Sequence, residues 1–320
     1  MRINRTLALG AATLALVVSA CAPGAGNSPS GAASSPSSAA SEPATGEKPD
    51  VSIGSAGFPE AALVAEIYAQ ALEAKGYTVD RNLELGERDA IRAAFDAEEI
   101  NLAPDYLGGL ASLLGAEVSP DADATHAAMI TALEAEGQTA LDYSPGTDAD
   151  GFVVRSETAE ELGLATMSDL AEVAGDLVWG LAPGCPDNPV CGPGLNDVYG
   201  IDISTLDAES LTPCSAEIAE ALDSSAIDVA QVCTTQSEIA SFNFVLLEDD
   251  GALAPAQNIA PVLTQELADA GGDDLAGTLN AVSELLTTEE LTNLNLLIAE
   301  QQSYEDIASQ WLTDNGLNEG

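Results

Sequence analysis

The segment NLAPDYLGGL, residues 101 to 110, contains a tyrosine between an acid and a pair of glycines, two kinds of neighbour that could serve a ligand site. Tyr106 follows Pro104 and Asp105 and comes just before Gly108 and Gly109, in a chain with only 4% aromatic residues. The apolar residues before it predict a strand, and open α/β sheets bind ligands at the carboxyl ends of their strands. Tyr106 is therefore a candidate ligand contact. The alternative is that its ring only packs on a neighbouring helix.

The sequence lacks three common catalytic signatures. It contains no GxSxG, HExxH or Walker segment. Its one histidine, His126, lies in DATHAAM on a predicted helix surface, so acid–base chemistry by histidine has little support. Acidic residues are abundant, but abundance alone does not pair them for catalysis. We therefore expect a protein that is not an enzyme and that needs no cofactor and no metal.

The first twenty residues are typical of a secretory signal. Arg2 and Arg5 precede an apolar run, residues 6 to 20, that is short for a transmembrane helix. The run ends in VSAC, which looks like a bacterial lipobox and implies cleavage before Cys21 and a lipid on that residue. A plain signal peptide with an unrelated cysteine is the alternative.

Residues 21 to 50 then form a predicted tether of Ala, Gly, Ser and Pro after the lipidated cysteine. Such a composition cannot bury a core and favours disorder. No later segment has the roughly 20 apolar residues that a membrane-spanning helix needs. The sequence thus predicts a protein held by its lipid at the outer face of the cell membrane.

The chain is strongly acidic, with 53 Asp and Glu against 8 Lys and Arg and a formal net charge of −45. Such a field disfavours nucleic acid and anionic membrane surfaces as partners. We expect most of these acids to form a solvated surface.

Besides Cys21, the chain has four cysteines: Cys185, Cys191, Cys214 and Cys233. An even number outside the cytoplasm suggests two disulfides, for which three pairings exist. The short loops favour Cys185–Cys191 and Cys214–Cys233. A structural zinc site is the rival interpretation, but the spacings do not suit it and His126 is far away in sequence.

The part that can fold, roughly 270 residues, is enough for one large or two medium domains. Its first elements are predicted from apolar spacing and from breakers: strand 51–55, helix 59–75, strand 77–85, helix 88–99 and strand 100–104. Pro59 suits the first helical position and Gly76 suits the stop. This β-α-β-α-β order favours a parallel sheet covered by helices.

The second half repeats the α/β pattern. Strands are predicted over 150–155, 176–183 and 242–250, a short helix over 167–175, and a helix followed by a strand over 214–232. Ser168, Thr287 and Ser303 are predicted N-caps of three helices, and Gly316 is predicted to end the last helix. Trp179 and Trp311 are expected in the core. The pattern predicts two α/β lobes, with chain crossings near 141–151 and 247–258.

Seven segments occur in an order that resembles a known family: IGSAGFPEAALVAEIYAQALEAKGY, LGERDAIRAAFDAEEINLAPDYLGG, GFVVRSETAEELGLATMSDLAEVA, PGLNDVYGID, ALDSSAIDVAQVCTTQSEI, FVLLEDDGALAPAQNIAPVL and LTTEELTNLN. Together they resemble the substrate-binding lipoproteins of ABC importers for osmoprotectants (glycine betaine, choline, carnitine). Two cysteine-containing stretches, GCPDNPVC (184–191) and the one from PCSAEIAEAL to QVCTTQ (213–236), look like the actinobacterial branch of that family. The resemblance runs from about Val51 to the C-terminus.

The resemblance implies a two-lobed fold like that of periplasmic binding proteins, of the type with two hinge strands and a ligand cleft between the lobes. Lobe 1 would be residues 51–145 and 250–320, and lobe 2 would be residues 146–249. The lobes would close on a small solute and present it to an ABC permease, which works with its ATPase.

The resemblance also gives Tyr106 a role. In the family, a tyrosine in a Pro-acid-Tyr-x-Gly turn forms part of an aromatic cage. A quaternary ammonium ion cannot donate or accept a hydrogen bond, and π faces hold it instead, each good contact contributing roughly 0.5–2 kcal/mol.

Four positions depart from the family pattern. Ala56 stands where the family has a lysine in the first loop, and Gly109 stands where it has a threonine after the turn. Two cage tyrosines of lobe 2 align with Ala219 and Phe242. These departures leave the lobe-2 cage incomplete. The predicted solute is a quaternary ammonium osmoprotectant such as glycine betaine or choline, and an ergothioneine-like or amino-acid-derived solute is the alternative.

Other candidate ligand contacts come from their positions at strand ends and crossings: Ser55, Ala56, Gly57, Phe58, Arg88, Asp142, Tyr143, Thr234, Thr235 and Gln236. The amides at the helix start after Phe58 could bind a carboxylate. Arg88 could do so as well, although an ordinary salt bridge is an equal alternative. For Asp142 the alternative is a turn residue, and for residues 234–236 it is a capping role.

The sequence therefore predicts an extracytoplasmic solute-binding lipoprotein of an ABC importer. A receptor that hands its ligand to a sensor, or an adhesive surface lipoprotein, is the alternative in a different functional class.

Overall fold

The computed structural model describes residues 48–188 and 190–318. The predicted signal peptide, Cys21 and nearly all of the predicted tether lie outside the described residues. Within the part that is described, no helix is both long enough and apolar enough to cross a membrane.

The described chain alternates strands and helices. Its strands are β1 (Val51–Gly54), β2 (Val79–Asn82), β3 (Leu102–Tyr106), β4 (Gln138–Ala140), β5 (Asp150–Val154), β6 (Val178–Leu181), β7 (Asp207–Ser210), β8 (Val229–Cys233), β9 (Val245–Leu246) and β10 (Ile259–Thr264). Its helices are α1 (Pro59–Ala74), α2 (Arg88–Asp96), α3 (Leu107–Leu113), α4 (Ala122–Glu134), α5 (Ser156–Leu162), α6 (Met167–Val173), α7 (Gly192–Gly194), α8 (Ala216–Asp223), α9 (Ser237–Ser241), α10 (Gln265–Ser283), α11 (Thr288–Ala299) and α12 (Tyr304–Asp314).

The first sheet has the strand order β2-β1-β3-β10-β4. Strands β2, β1 and β3 run parallel to one another, as the alternation of strands and helices predicts. Strand β10 returns from the far half of the chain and runs antiparallel to both β3 and β4. The sheet is therefore mixed, and the carboxyl ends of β1 and β3 lie at one edge.

The second sheet has the strand order β7-β6-β8-β5-β9, and it is mixed as well. Strand β6 runs parallel to β7 and β8, while β5 runs antiparallel to β8 and β9. The predicted strand 242–250 is wrong in its length, because only Val245–Leu246 forms a strand. Asn243, with a φ of 54°, turns the chain just after helix α9.

The chain passes twice between the sheets. It leaves the first sheet after Ala140 and returns to it at Ile259. An antiparallel bridge between Thr147 and Asn258 pairs the two crossing segments. This arrangement confirms the predicted α/β class, with one five-stranded mixed sheet in each half.

Helices cover both faces of each sheet. One face of the first sheet packs with α1, α10, α11 and α12, and the other packs with α2, α3 and α4. Trp179 and Trp311 are buried, as expected. The Trp179 indole donates to the Ala174 carbonyl, and the Trp311 indole donates to Glu290 Oε1.

Two of the three predicted helix N-caps are confirmed, and the third is wrong. The hydroxyls of Thr287 and Ser303 accept from amides of the first turns of α11 and α12, which confirms both predicted caps. Ser168 is not a cap. Thr166 caps α6 instead, because its hydroxyl accepts from Asp169 N while the Asp169 carboxylate accepts from Thr166 N.

Two disulfides, Cys185–Cys191 and Cys214–Cys233, close loops with sequence separations of 6 and 19 residues. Cys233 ends β8 and pairs in the sheet with Asp150 of β5. The second disulfide therefore ties the segment before α8 to the strand edge that leads into Thr234.

Candidate functional site

Tyr106 ends β3 at the edge of the first sheet, and its side chain is buried. The phenol hydroxyl donates to Glu60 Oε1 at 2.6 Å. The ring lies 5.7 Å from the Phe58 ring, with 39° between the two planes. Burial, together with the neighbouring carboxylates, raises the pKa of Tyr106, so the hydroxyl stays a donor. Two aromatic faces thus meet beside a buried acid.

Glu60 lies in the first turn of α1, which begins at Pro59. An acid is stabilised there by the free amides of the helix start. Its side chain is buried, and Glu60 Oε2 accepts from Asn295 Nδ2 at 2.6 Å. Burial and the nearby Asp148 carboxylate raise the pKa of Glu60 to about 7, against the opposing effect of its hydrogen bonds to Tyr106, Thr235 and Asn295.

Asn295 joins the two halves of the molecule at this point. It lies on α11, and its amide donates both to Glu60 Oε2 and to the Thr235 carbonyl at 2.9 Å. Thr235 follows β8 of the second sheet and is buried. A continuous hydrogen-bonded chain therefore runs from Tyr106 through Glu60 and Asn295 to Thr235.

Asp148 lies on the first crossing segment, close to the same chain of contacts. Burial raises the pKa of Asp148, whereas Thr235 lowers it by hydrogen bonding. Asp148 Oδ1 and Gln236 Oε1 are buried acceptors with no hydrogen-bond partner among the described residues. Both therefore offer a buried oxygen to a ligand that carries a hydrogen-bond donor.

A cavity of about 150 Å³ opens beside the two aromatic rings. It is lined by Ala56, Gly57, Phe58, Gly86, Glu87, Arg88, Ile91, Pro104, Asp105 and Tyr106. Ser55 does not line it, because its hydroxyl is buried and accepts from Glu84 N at 2.8 Å. Gly57 N donates to the Gly86 carbonyl, and a side chain at Gly57 would meet the Gly86 backbone at 3.0 Å. Glycine at both positions lets the two loops pack together.

Arg88, one of the predicted contacts, forms an ion pair with the buried Asp105, with Nε 2.7 Å from Oδ1. Burial raises the pKa of Asp105, while Arg88 acts in the opposite direction. The guanidinium group lies over Gly109, where an added Cβ would approach it to 2.4 Å. The guanidinium group can occupy this position because residue 109 is a glycine here, where the family pattern has threonine.

We expect Gly109→Ala to displace Arg88 and to lower the free energy of unfolding by about 2 kcal/mol, because Asp105 loses its buried partner. In an Arg88→Ala background the same change should be neutral or stabilising by up to about 1 kcal/mol, since alanine favours the helix over glycine. Urea unfolding of the four proteins in this double-mutant cycle measures the coupling. The same loss in both backgrounds would contradict it.

The remaining predicted residues divide into two groups. Thr234 and Thr235 lie at the interface between the halves, where their carbonyls accept from the Thr292 hydroxyl and from Asn295 Nδ2 of α11. Gln236 Nε2 donates to the Ser215 carbonyl. Asp142 and Tyr143 make their hydrogen bonds elsewhere: Asp142 accepts from Asn280 Nδ2, and Tyr143 donates to Asp123.

The two positions aligned with cage tyrosines differ in exposure. Ala219 is fully buried in the second sheet's core beside Ile218 and Leu222, so a larger side chain there would point into that core. Phe242 is 36% exposed, and its ring stacks on Phe244 at 5.3 Å.

Sequence reasoning missed Glu60, Asp148 and Asn295. A signal for Glu60 was present, because it opens α1, a helix that is buried on nearly every side, where a charged residue needs a partner. Asn295 gave no local signal, since its role depends on contacts 235 and 60 residues away in the chain.

Three comparisons bear on this arrangement. Residues 49–314 match the protein family described as the substrate binding domain of ABC-type glycine betaine transport systems. The glycine-betaine-binding protein of Pseudomonas aeruginosa is 25% identical over 83% of this chain and 88% of its own length. The carnitine transport binding protein of Listeria monocytogenes is also 25% identical, over 85% of this chain and 89% of its own length.

Solved structures share the fold. The crystal structure of a glycine betaine/carnitine/choline ABC transporter protein superimposes with a TM-score of 0.76 at 22% identity, covering 84% of this chain and all of that chain. Ligand-free YehZ from Escherichia coli superimposes with a TM-score of 0.75, also at 22% identity, covering 84% of this chain and 99% of that one. These likenesses confirm the predicted two-lobed fold of periplasmic binding proteins.

Proposed function

This chain belongs to the family of substrate-binding domains of ABC-type glycine betaine transport systems, and we propose from that premise that it captures a quaternary ammonium osmoprotectant, such as glycine betaine, choline or carnitine. It delivers this solute to an ABC permease that works with its ATPase. The observation that carries the proposal is the pair of aromatic rings, Phe58 and Tyr106, beside the buried carboxyl of Glu60.

The chemistry of this pair suits the ligand class. A quaternary ammonium group offers no hydrogen bond, and it is attracted by aromatic faces and by negative charge. Phe58 is exposed enough to meet a solute, and the cavity beside both rings is bounded by two loops at strand ends. Glu60 adds a negative charge beside the rings, which a purely apolar pocket would not offer to an alkylammonium ion.

The ligand's other end has candidate partners. The unpaired oxygens of Asp148 and Gln236 suit the hydroxyl of choline or carnitine. Amides at the start of α1, where no side chain caps the helix, suit a carboxylate. Arg88 acts on the site indirectly, through its ion pair with Asp105. Ser55 and Gly57 shape the first loop beside Ala56.

Asp142 and Tyr143 stay predictions as ligand contacts. The ring of Tyr143 packs edge-on against His126 at 5.1 Å, so a contact with the solute would need this pair to rearrange.

The two halves act as lobes in this proposal. Residues 51–145 and 250–320 form lobe 1, and residues 146–249 form lobe 2, which is supported by the strands that each sheet contains. The segments that carry Thr147 and Asn258 serve as the hinge. The hydrogen bonds of Asn295 then hold the lobes together around the solute.

We also propose that the mature protein is a lipoprotein, anchored by Cys21 to the outer face of the cell membrane, and that it belongs to the actinobacterial branch. The lipobox-like VSAC, the tether composition and the cysteine segments support this. Globomycin treatment and mass spectrometry of the N-terminal peptide test the anchor: an unmodified Cys21 in the mature protein would contradict it.

Calorimetric titration of residues 48–318 with glycine betaine, choline, carnitine, proline betaine, ergothioneine and several amino acids tests the function. We expect one quaternary ammonium compound to bind with a Kd in the micromolar range or below, and amino acids to give no heat. A folded protein that binds only ergothioneine or an amino acid would instead support the alternative solute suggested by Ala56 and Gly109.

A further inference from the structure

Glu60, which is buried, and Asp148, whose Oδ1 atom is buried, have no basic partner in the described part of the chain. Its arginines pair with other acids: Arg81 with Glu66 and Glu73, Arg88 with Asp105, Arg92 with Glu136, and Arg155 with Asp228. Lys48 pairs with Asp274, and Lys75 lies at the opposite end of α1 from Glu60.

The groups that face Glu60 are otherwise acidic or neutral. Strand β3 contributes the Tyr106 hydroxyl, and the neighbouring Asp105 has its charge balanced by Arg88. Asp148 approaches from the first crossing segment, and Asp150, at the start of β5, acts on Asp148. The α11 helix and the segment after β8 contribute only uncharged groups, those of Asn295 and Thr235.

Two negative charges in one buried place repel each other and lose hydration, so one of the two acids holds a proton when no cation is near. Thr235 lies beside both acids and lowers the pKa of each, and its carbonyl accepts from Asn295, which also donates to Glu60. Tyr106 connects that network directly to the aromatic surface, because its ring meets Phe58 while its hydroxyl reaches Glu60.

We propose that Glu60 and Asp148 are the specificity-determining counter-charge of this site, and that a quaternary ammonium ligand exchanges for one proton when it binds between the lobes. The inference rests on the proposed function and deepens it. The acid pair releases its proton to the solvent, both carboxylates become ionised, and the fixed positive charge of the ligand takes the place of the proton. A quaternary ammonium group has no proton of its own, so the released proton must come from the protein.

The exchange has a measurable consequence. Below the pKa of the pair, affinity should rise about tenfold per pH unit, and above it affinity should level off. For a group that titrates near pH 7, the Kd should fall about 30-fold between pH 5.5 and pH 8.5, with about half a proton released per ligand at pH 7.

Calorimetry with glycine betaine and with choline, at pH 7 in phosphate, imidazole and Tris, measures the released proton, because the three buffers differ in heat of protonation. Glu60→Gln should remove the buffer-dependent heat and flatten the Kd between pH 5.5 and 8.5. Its affinity should match that of the wild type at pH 5.5 and fall about tenfold or more below it at pH 8.5. Glu73→Gln, on the same helix but paired with Arg81, is the matched control and should keep the wild-type proton release.

Asp148→Asn provides a second variant if Glu60→Gln fails to fold, and it should also abolish the proton release. Tight binding with a constant Kd and no buffer dependence would overturn the exchange while leaving the proposed function intact. Full proton release in both variants would overturn the assignment to these acids. Absence of heat with both ligands at every pH, from folded protein, would overturn the proposed function for them and the exchange with it.

Discussion

Replacing Tyr106 by leucine should weaken binding of the cognate quaternary ammonium ligand by about 30-fold, since a desolvated cation–π contact contributes about 2 kcal/mol. Leucine keeps an apolar side chain in the buried site but removes the aromatic face next to Phe58. Leucine is preferred to alanine as the test, because truncating a buried aromatic residue to alanine costs about 3–5 kcal/mol of stability. Titration calorimetry at pH 8 measures the change in Kd.

Tyr106→Phe separates the ring from the hydroxyl. Phenylalanine retains the aromatic face, so we expect less than about a fivefold loss of affinity. It removes the 2.6 Å hydrogen bond to Glu60, which leaves that carboxylate with one donor fewer and raises the cost of its ionisation. The loss of affinity should therefore be larger at pH 8 than at pH 5.5.

Tyr68→Leu is the control for nonspecific damage. Tyr68 is fully buried on α1, and its hydroxyl shares a hydrogen bond with Ser283 of α10 and not with the acids of the site. It should cost stability as Tyr106→Leu does, with no change in Kd. Equal affinities of Tyr106→Leu and wild-type protein would remove the ring from the site.

The elements whose patterning is local were predictable from the sequence. Proline at the first turn and glycine after the last turn marked helix α1, and Gly76 has the expected positive φ of 84°. The direction of β10 was not predictable in this way, because its antiparallel pairing with β3 depends on where the chain returns after crossing to the second sheet. The cap of α6 was misplaced because Ser168 and Thr166 are both good caps, and only the reciprocal bond with Asp169 distinguishes them.

The candidate site residues differ in the same way in how far the local sequence could reveal them. Tyr106 could be found because its turn and its strand end are contiguous in the chain. Glu60 and Asp148 could not be paired from the sequence, since they are 88 residues apart and neither has an unusual neighbour. Their meeting depends on how α1 and the crossing segment pack. Glu66 and Asp105 are buried as well, but each pairs with an arginine, so Glu60 is distinguished by burial without a basic partner and Asp148 by its charge close to Glu60.

Glu60→Gln should change how the stability of the ligand-free protein depends on pH. Burial raises the pKa of Glu60 to about 7, above its value of roughly 4.5 in an unfolded chain. The folded protein therefore holds this proton more tightly than the unfolded chain does. The stability that results is fully present below about pH 4.5, declines as the pH rises, and is lost above about pH 7.

The expected size of this effect follows from the shift. Between pH 5 and pH 8, the free energy of unfolding of the wild type should fall relative to Glu60→Gln by roughly 2–3 kcal/mol. Glutamine does not titrate, but it keeps only one acceptor oxygen for the two donors, Tyr106 and Asn295, which adds a cost that is independent of pH. The quantity to measure is therefore how the difference in free energy of unfolding between wild type and Glu60→Gln changes with pH. The size of that difference at any one pH is not informative.

Urea unfolding of both proteins at several pH values from 5 to 8, without ligand, measures that quantity. Glu73→Gln again serves as the control, because it makes the same substitution on the same helix at an exposed acid outside the buried network. The general repulsion within a chain of net charge −45 grows with pH in all three proteins and cancels in the comparison. A wild-type-minus-variant difference that stays constant across this range would mean that Glu60 is ionised throughout. The acid pair would then hold no proton for a ligand to displace, and the site would have to balance its charge in another way.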